Sequence, residues 1–262
     1  MLNLSELTDK VRALAIEAGD FIREERKKFH REAIEKKHAH DYVSYVDKES
    51  EKKIVTRLKE LRPEAGFIAE EGSGTLNDEQ YCWLVDPLDG TTNFIHDNAP
   101  YCVSIALRSK KELLLGVVYE ICRNECFWTY KGAPSYLNGN EIHVSAISNL
   151  DDSFIALGFP YATEEYKPMA NHLVNTLYGN VAGLRLMGAA AVELCYIAAG
   201  RFEARIEAFI GPWDIAAGTI ILQNAGGMIT DFKGGDSYSS GSQVLASNGR
   251  IHRDLLNIID NL

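Results

Sequence analysis

The stretch WLVDPLDGTTN, residues 83–93, joins a short apolar segment to a tight polar turn. The apolar residues predict a buried strand that ends where the acidic residues begin. Pro87 and Gly90 predict a sharp change of chain direction, because proline fixes φ and glycine also populates left-handed conformations. The carboxylates of Asp86 and Asp89 are therefore expected to face one point.

Oxygen ligands at this turn suit a magnesium ion. Mg²⁺ prefers carboxylate and carbonyl oxygens in near-octahedral geometry at about 2.0 to 2.1 Å. Asp86, Asp89 and the main-chain carbonyl of Leu88 supply such oxygens. Asp-Pro and Asp-Gly are also favourable turn sequences, so this stretch alone leaves a purely structural interpretation open.

Two further acidic positions lie where other elements end or begin. Glu70 follows the apolar segment 66–69, and the ends of strands in α/β sheets are where binding sites collect. Asp214 follows Pro212 and Trp213 at the predicted start of a helix. An acidic residue there also caps the helix, an interaction typically worth about 0.3 to 1 kcal/mol. Asp214 is therefore a candidate ligand, a candidate cap, or both.

Apolar periodicity predicts a mixed fold. Three- and four-residue spacing predicts amphipathic helices over 4–22 and 47–61, and the charged segment 23–37 is expected to continue the first helix as a solvated face. Strand-like alternation of apolar and polar residues over 103–130, interrupted by turns, predicts an antiparallel meander of three strands. The part of the chain at 1–145 is thus predicted to be α+β.

Strand and helix patterns alternate after about residue 145, which predicts an α/β arrangement for 146–262. No low-complexity linker separates this half from the first. We therefore expect residues 1–145 and 146–262 to pack as one compact catalytic unit.

Composition excludes several classes of function. The chain has 262 residues, 46% of them hydrophobic, and a formal net charge of -10. Such acidity argues against nucleic acid or an anionic membrane as partner, because both are bound through Lys and Arg. No apolar run reaches the roughly 18 residues of a membrane span, and the five cysteines are odd in number. A cytoplasmic protein with reduced thiols is expected.

Longer motifs carry a resemblance to a known family. Residues 83–96 resemble the first signature of the inositol monophosphatase family, and residues 213–227 resemble the second at the family's spacing. Lys36 with the segment 41–47 resembles the family's active-site loop, although Ala39 and Ser44 stand where Pro and Thr are common. The resemblance implies an α+β and α/β fold, a layered αβαβα sandwich of the inositol monophosphatase and fructose-1,6-bisphosphatase type.

The resemblance also implies the roles of individual residues. Two or three Mg²⁺ ions are expected on Glu70, Asp86, Leu88 through its carbonyl, Asp89 and Asp214. Glu70 and Thr91 would hold the attacking water, and Asp47 would orient Thr91. The substrate side would comprise Asp89, Gly90, Thr91, Arg185, Gly188, Ala190 and Glu207, with Lys36 on the loop. Glu207 is alternatively a surface acid of its strand.

The implied activity is that of a lithium-sensitive, Mg²⁺-dependent phosphomonoesterase. It would hydrolyse inositol monophosphate or a related small phosphorylated polyol by direct in-line attack of water. The resemblance also implies a homodimer. Substrates of other relatives stay open: NADP 2′-phosphate, fructose 1,6-bisphosphate, other sugar or nucleotide phosphates, and histidinol phosphate. A metal-binding homologue without activity is also open. The acids are three apart, which excludes the Asp-x-Asp pattern of haloacid dehalogenase-like phosphatases, and no P-loop pattern occurs.

Overall fold

The computed structural model describes residues 3–29, 34–38, 41–74, 79–159 and 163–260. Its helices are α1 (Leu4–Arg26), α2 (Tyr45–Leu61), α3 (Thr91–Ile95), α4 (Thr163–Leu177), α5 (Ala190–Ala198), α6 (Pro212–Asn224) and α7 (His252–Ile259). Its strands up to residue 142 are β1 (Ile34–His38), β2 (Asp41–Ser44), β3 (Gly66–Ala69), β4 (Tyr81–Asp89), β5 (Cys102–Ser109), β6 (Leu113–Glu120), β7 (Glu125–Tyr130), β8 (Ser135–Leu137) and β9 (Asn140–Ile142). The later strands are β10 (Phe154–Gly158), β11 (Gly183–Arg185), β12 (Ala204–Ala208), β13 (Met228–Thr230) and β14 (Gln243–Ser247).

These elements form five layers. One sheet has the strand order β3-β4-β5-β6-β7-β8-β9, and the other has the order β11-β10-β12-β14-β13. Helices α1 and α2 cover the outer face of the first sheet, α5 and α6 lie between the sheets, and α4 and α7 cover the outer face of the second. Three separate apolar clusters fill the spaces between the layers. The layered αβαβα prediction is confirmed.

Strand β4 shows why the first sheet is buried on both faces. Trp83 and Val85 belong to the apolar cluster under α1 and α2, and Leu84 belongs to the cluster around α5 and α6. Successive side chains of a strand point to opposite faces, so an unbroken apolar run fills two cores. This packing fixes the position of the acidic turn that follows.

The predicted helix over 47–61 is confirmed within α2, and the predicted meander over 103–130 is confirmed as the antiparallel strands β5, β6 and β7. The prediction that 23–37 continues the first helix is wrong. Helix α1 ends at Arg26, and Ile34–His38 is β1, which pairs antiparallel with β2. Charges of both signs supply no apolar stripe beyond Ile22 for a longer helix to bury.

The hairpin of β8 and β9 was not predicted. Asn138 and Gly139 join these strands with φ values of 49° and 86°. An Asn-Gly pair with positive φ at both positions is the turn that two-residue hairpins favour, so the sequence does contain a signal here. No helix within the described residues is both long and apolar enough to cross a membrane.

Candidate active site

Glu70 directly follows β3 and lies beside Asp86 of the parallel strand β4. Strand β3 pairs parallel with β4, with Ala69 opposite Val85, so the next residue of each strand falls at the same level. Asp86 is 1% exposed. Burial raises the pKa of Asp86 well above its usual range, and the nearby carboxylate of Glu70 raises it further.

A bulge carries β4 beyond its predicted end. Against β5, Asp86 faces Ser104 and Asp89 faces Cys102, so β4 contains an extra residue between these two pairs. The expectation that the strand ends at Val85 is wrong, because the bulge accommodates Pro87, which cannot donate to a regular ladder. The bulge directs Asp86 and Asp89 toward the same end of the sheet.

Main-chain N–H groups at the start of α5 hold Asp89. Its carboxylate accepts hydrogen bonds from the N–H of Ala190 at 3.1 Å and of Ala191 at 2.8 Å. Burial raises the pKa of Asp89 to about 6, against the effect of these hydrogen bonds and of the Arg205 charge. Ala190 therefore contributes through its main chain.

Asp214 is both a helix cap and a member of the acidic cluster. Its Oδ2 accepts a hydrogen bond from the N–H of Gly211 at 2.7 Å, at the start of α6. Burial raises the pKa of Asp214 well above its usual range, and the charges of Glu70 and Asp89 raise it further. The cap predicted for Asp214 is thus present, and its role as a metal ligand stays a prediction.

The four carboxylates form a group with excess negative charge, in which Asp86 and Asp89 are buried and Glu70 and Asp214 are partly buried. Their mutual repulsion is expensive in a region of low dielectric unless a cation compensates it. Within the described residues, no three His, Cys, Asp or Glu side chains converge closely enough to hold a metal ion as they stand. Several of these carboxylate oxygens accept main-chain N–H bonds instead. The donor set itself, carboxylates on one sheet end, is of the kind that divalent cations prefer.

Thr91 is held by a carboxylate from another layer. Its Oγ1 lies 2.8 Å from Oδ1 of Asp47 and 3.0 Å from the carbonyl oxygen of Leu88. A hydroxyl has one hydrogen, and the carboxylate is the stronger acceptor. Asp47 is buried, and its Oδ2 accepts hydrogen bonds from the N–H and hydroxyl of Ser44. Burial raises the pKa of Asp47, and the bonds from Ser44 and Thr91 oppose this.

Gly90 lies where no other residue fits. Its φ is 90°, and a Cβ there would be 2.9 Å from the carbonyl oxygen of Pro100. Asn93 then ties the turn to the second half of the chain, because its side-chain amide donates to the carbonyls of Pro100 at 2.7 Å and Met187 at 2.6 Å. Gly188 adjoins this contact with a φ of 76°.

The remaining predicted residues differ in their surroundings. Glu207 is half-buried on β12, and its charge raises the pKa of Asp214, so the two carboxylates lie in one region. Arg185 is exposed on β11, with its guanidinium over the ring of Phe154 and one N–H donated to the Leu184 carbonyl. The side chain of Lys36 lies outside the described residues.

Three residues that support the site were not predicted. Glu51 accepts hydrogen bonds from the N–H groups of Glu71 at 2.7 Å and Ser73 at 2.9 Å, directly after Glu70. Glu193 and Arg205 form a buried ion pair near Glu207. Helical spacing places Glu51 one turn after Asp47, and strand spacing places Arg205 on the same face as Glu207. The sequence therefore contained a signal for each of these two residues.

The chain matches known proteins over nearly its full length. A model of the inositol monophosphatase family matches residues 3–261. A Pasteurella multocida protein named Nus factor SuhB is 39% identical over 225 residues, which cover 85% of this chain and 84% of that protein.

Solved structures show the same fold. The extragenic suppressor protein suhB from Bartonella henselae superposes with a TM-score of 0.92 at 32% identity, covering 97% of this chain and 98% of that one. An inositol monophosphatase from Anabaena (Nostoc) sp. PCC 7120 superposes with a TM-score of 0.89 at 30% identity, covering 100% and 98%.

Proposed function

The chain belongs to the inositol monophosphatase family, and we propose that it is a Mg²⁺-dependent phosphomonoesterase acting on inositol monophosphate or a related small phosphorylated polyol. One observation carries this proposal. The clustered carboxylates of Glu70, Asp86, Asp89 and Asp214 lie beside the hydrogen-bonded pair of Thr91 and Asp47, near the ends of strands and helices.

Mg²⁺ fits the donors of this site. In the proposal, two or three ions are held by Glu70, Asp86, Asp89, Asp214 and the carbonyl of Leu88. When bound, Mg²⁺ supplies the positive charge that a phosphate and a departing alkoxide require, and it lowers the pKa of a coordinated water. An acidic protein with a net charge of -10 needs such a source of positive charge to hold an anionic substrate.

Thr91 and Glu70 orient the attacking water in this proposal. Because Thr91 donates its only hydroxyl hydrogen to Asp47, its oxygen is left as an acceptor for a water hydrogen. The carboxylate of Glu70 accepts the other. Both side chains stand on rigid elements, Glu70 at the end of β3 and Thr91 at the start of α3, which favours a fixed approach of water to phosphorus.

Glu207 supports the choice of a polyol as the alcohol part. Its carboxylate accepts hydrogen bonds from hydroxyl groups and repels a second phosphate. It lies near Asp214 and therefore on the same side of the cluster. A monophosphate with several hydroxyl groups therefore suits the Glu207 carboxylate better than a bisphosphate does.

The names of relatives suggest a second candidate function. Proteins named Nus factor SuhB are 36% to 39% identical to this chain, which points to a transcription-related role. Such a role does not require catalysis. The two candidates are separable, because loss of phosphate release in an Asp86→Asn variant would leave a purely protein-binding function intact.

A substrate panel tests the proposal. Phosphate release is measured with Mg²⁺ for inositol 1-phosphate, fructose 1,6-bisphosphate, NADP, 3′-phosphoadenosine 5′-phosphate and histidinol phosphate. We expect the highest kcat/KM for inositol 1-phosphate or another polyol monophosphate, loss of turnover with a chelator, and inhibition by Li⁺. No release from any compound by the folded protein would contradict the proposal.

Two further predictions accompany the proposal. The family resemblance implies a homodimer and a cytoplasmic location. Light scattering coupled to size-exclusion chromatography gives the mass, for which we expect twice the 29.1 kDa of one chain. Fractionation of the source cells tests the location.

A further inference from the structure

A buried arginine lies between two glutamates beside the acidic cluster. Arg205 is 2% exposed, and its guanidinium forms ion pairs with Glu193, which is fully buried, and with Glu207. Arg205 and Glu207 are two residues apart on β12, so their side chains leave the same face of the strand. One cation thus contacts carboxylates from two elements, α5 and β12.

Glu193 connects this arginine to the loop before α5. Its Oε1 accepts hydrogen bonds from the N–H groups of Met187 at 3.2 Å and Gly188 at 3.0 Å. The carbonyl of Met187 in turn accepts the amide of Asn93 from the acidic turn. Arg205 is therefore joined through Glu193 to the segment that borders the candidate active site.

The other side of the Glu207 carboxylate is closed by a glycine. Gly158 of β10 is paired with Glu207 of β12 in a parallel register. A Cβ on Gly158 would lie 2.6 Å from Oε2 of Glu207 and even closer to its other carboxylate atoms. Any larger residue at 158 would displace the carboxylate, so Gly158 and Arg205 together define its position.

Stability alone is a poor explanation for this arrangement. Removing a guanidinium from water costs several kcal/mol, and apolar replacements of buried ion pairs are often as stable. What such a pair does provide is a fixed geometry. Two carboxylates and one guanidinium also leave one net negative charge, and Glu207 is the more exposed of the two acids, at 15% against 0% for Glu193.

We infer that Arg205 is a positioning residue that fixes the Glu207 carboxylate for the hydroxyl groups of a polyol monophosphate, with Gly158 providing the space. The inference rests on the proposed function and extends it. It assigns recognition of the alcohol part to Arg205, Gly158 and Glu207 acting as a unit, separate from the carboxylates that hold Mg²⁺.

Two variants test the inference without changing any acidic residue. Arg205→Lys keeps the charge, but one ammonium group lacks the planar fork that spans two carboxylates. Gly158→Ala keeps every charge and displaces Glu207 by contact. Gly235→Ala is the matched control, because its Cβ would likewise meet a carboxylate, that of Asp231, which is not part of the candidate active site.

Steady-state kinetics with Mg²⁺ are measured for inositol 1-phosphate and for 4-nitrophenyl phosphate, which offers no hydroxyl groups. For both test variants we expect KM for inositol 1-phosphate to rise about 10-fold, the usual loss for one charge-assisted hydrogen bond, with little change in kcat. KM for 4-nitrophenyl phosphate should stay within about 2-fold of the wild-type value. The variants lose only the binding of substrate hydroxyl groups, which this compound lacks. Gly235→Ala should match the wild type on both substrates.

Glu207→Gln distinguishes failure of the inference about Arg205 from failure of the proposed function. If it raises KM for inositol 1-phosphate while Arg205→Lys and Gly158→Ala match the wild type, the inference is overturned and the proposed function stands. Equal damage to both substrates in the test variants also overturns it. If the wild type releases no phosphate from any polyol monophosphate, the proposed function fails and the inference with it. Should Arg205→Lys not fold by circular dichroism, Gly158→Ala decides.

Discussion

The hydroxyl oxygen of Thr91 lies 2.8 Å from Oδ1 of Asp47, a residue 44 positions earlier in the chain. Asp47 is itself fixed, because it closes a capping box with Ser44 at the start of α2. The orientation of the Thr91 hydroxyl is thus set by a helix on the outer face of the sheet. Its oxygen keeps lone pairs that can accept a hydrogen bond.

Substitutions at Thr91 test whether its hydroxyl positions water. Thr91→Ala removes the acceptor, and we expect kcat to fall by about 10² to 10⁴, the usual contribution of a positioned proton-transfer group. Thr91→Ser keeps the hydroxyl and its bond to Asp47, so most of the activity should remain. Phosphate release on the best substrate of the panel measures both. Mass spectrometry that found a phosphate covalently attached to Thr91 would show that it attacks phosphorus instead.

Asp86 should govern how much Mg²⁺ stabilises the fold. A ligand that binds only the folded state adds about 2.7 kcal/mol at 100 times its Kd. We expect Mg²⁺ to raise the melting temperature of the wild type and to raise that of Asp86→Asn far less. With a chelator, Asp86→Asn should be at least as stable as the wild type, because it relieves the repulsion from Glu70, Asp89 and Asp214.

Differential scanning fluorimetry at constant ionic strength gives both melting temperatures. Asp9→Asn is the control, because Asp9 is exposed on α1, where it forms an ion pair with Arg12. An equal Mg²⁺ response in Asp86→Asn and the wild type would remove Asp86 from the metal site.

The sequence reveals most about this protein where chemistry is local. The acids at 86 and 89 fall in one turn, and a helix-starting acid at 214 shows its cap pattern, so their candidate roles follow from short motifs. The relation of Glu70 to Asp86 depends on the parallel register of β3 and β4. No tight turn joins these two strands, so their register depends on which side chains the folded layers bury and not on a short motif.

Long-range contacts explain what the sequence did not reveal. Glu193 and Arg205 look like ordinary helix and strand residues until folding buries them against each other. A buried charge needs an oppositely charged partner, and here that partner is distant in sequence. Residue type alone therefore predicts an exposed arginine. The end of α1 at Arg26 follows from tertiary packing in the same way.

Glu51 should couple the stability of the loop after Glu70 to metal binding. Its buried carboxylate accepts the N–H groups of Glu71 and Ser73, and Glu51→Ala would remove both hydrogen bonds. A hydrogen bond to a charged group contributes about 1.5 to 3 kcal/mol, so we expect a loss of that size in the free energy of unfolding. The apparent affinity for Mg²⁺ should fall as well.

Urea denaturation and a Mg²⁺ titration of activity measure these two effects. Glu49→Ala is the matched control, because Glu49 is exposed on the same helix. If Glu51→Ala weakened the fold but left the Mg²⁺ dependence unchanged, the loop would not be coupled to the site.

His252 should make stability depend on pH below neutrality. Its ring is buried, with Nδ1 2.8 Å from Oγ of Ser247 and Nε2 2.9 Å from Oγ1 of Thr230. Burial lowers the pKa of His252 from its ordinary value of 6.5 to about 4. The unfolded chain therefore binds a proton below pH 6.5 that the folded protein accepts only near pH 4.

The sign follows from this difference in proton binding. Between the two pKa values the unfolded state holds more protons, so the free energy of unfolding falls as the pH is lowered through that window and levels off below it. The full loss is about 3 kcal/mol, since one pKa unit corresponds to roughly 1.4 kcal/mol. Residue 252 cannot titrate in His252→Gln. The difference in free energy of unfolding between this variant and the wild type should therefore change by that amount between pH 7 and pH 4.

Urea denaturation of both proteins with a chelator, at several values from pH 7 to pH 4, gives the difference directly. The acidic groups contribute equally to the wild type and to His252→Gln, and their effect cancels in the comparison. Exposed His143 provides the variant His143→Gln, which controls for the substitution of a histidine by glutamine as such. A difference between wild type and His252→Gln that stayed constant over this range would mean that His252 titrates alike in the folded and unfolded chain.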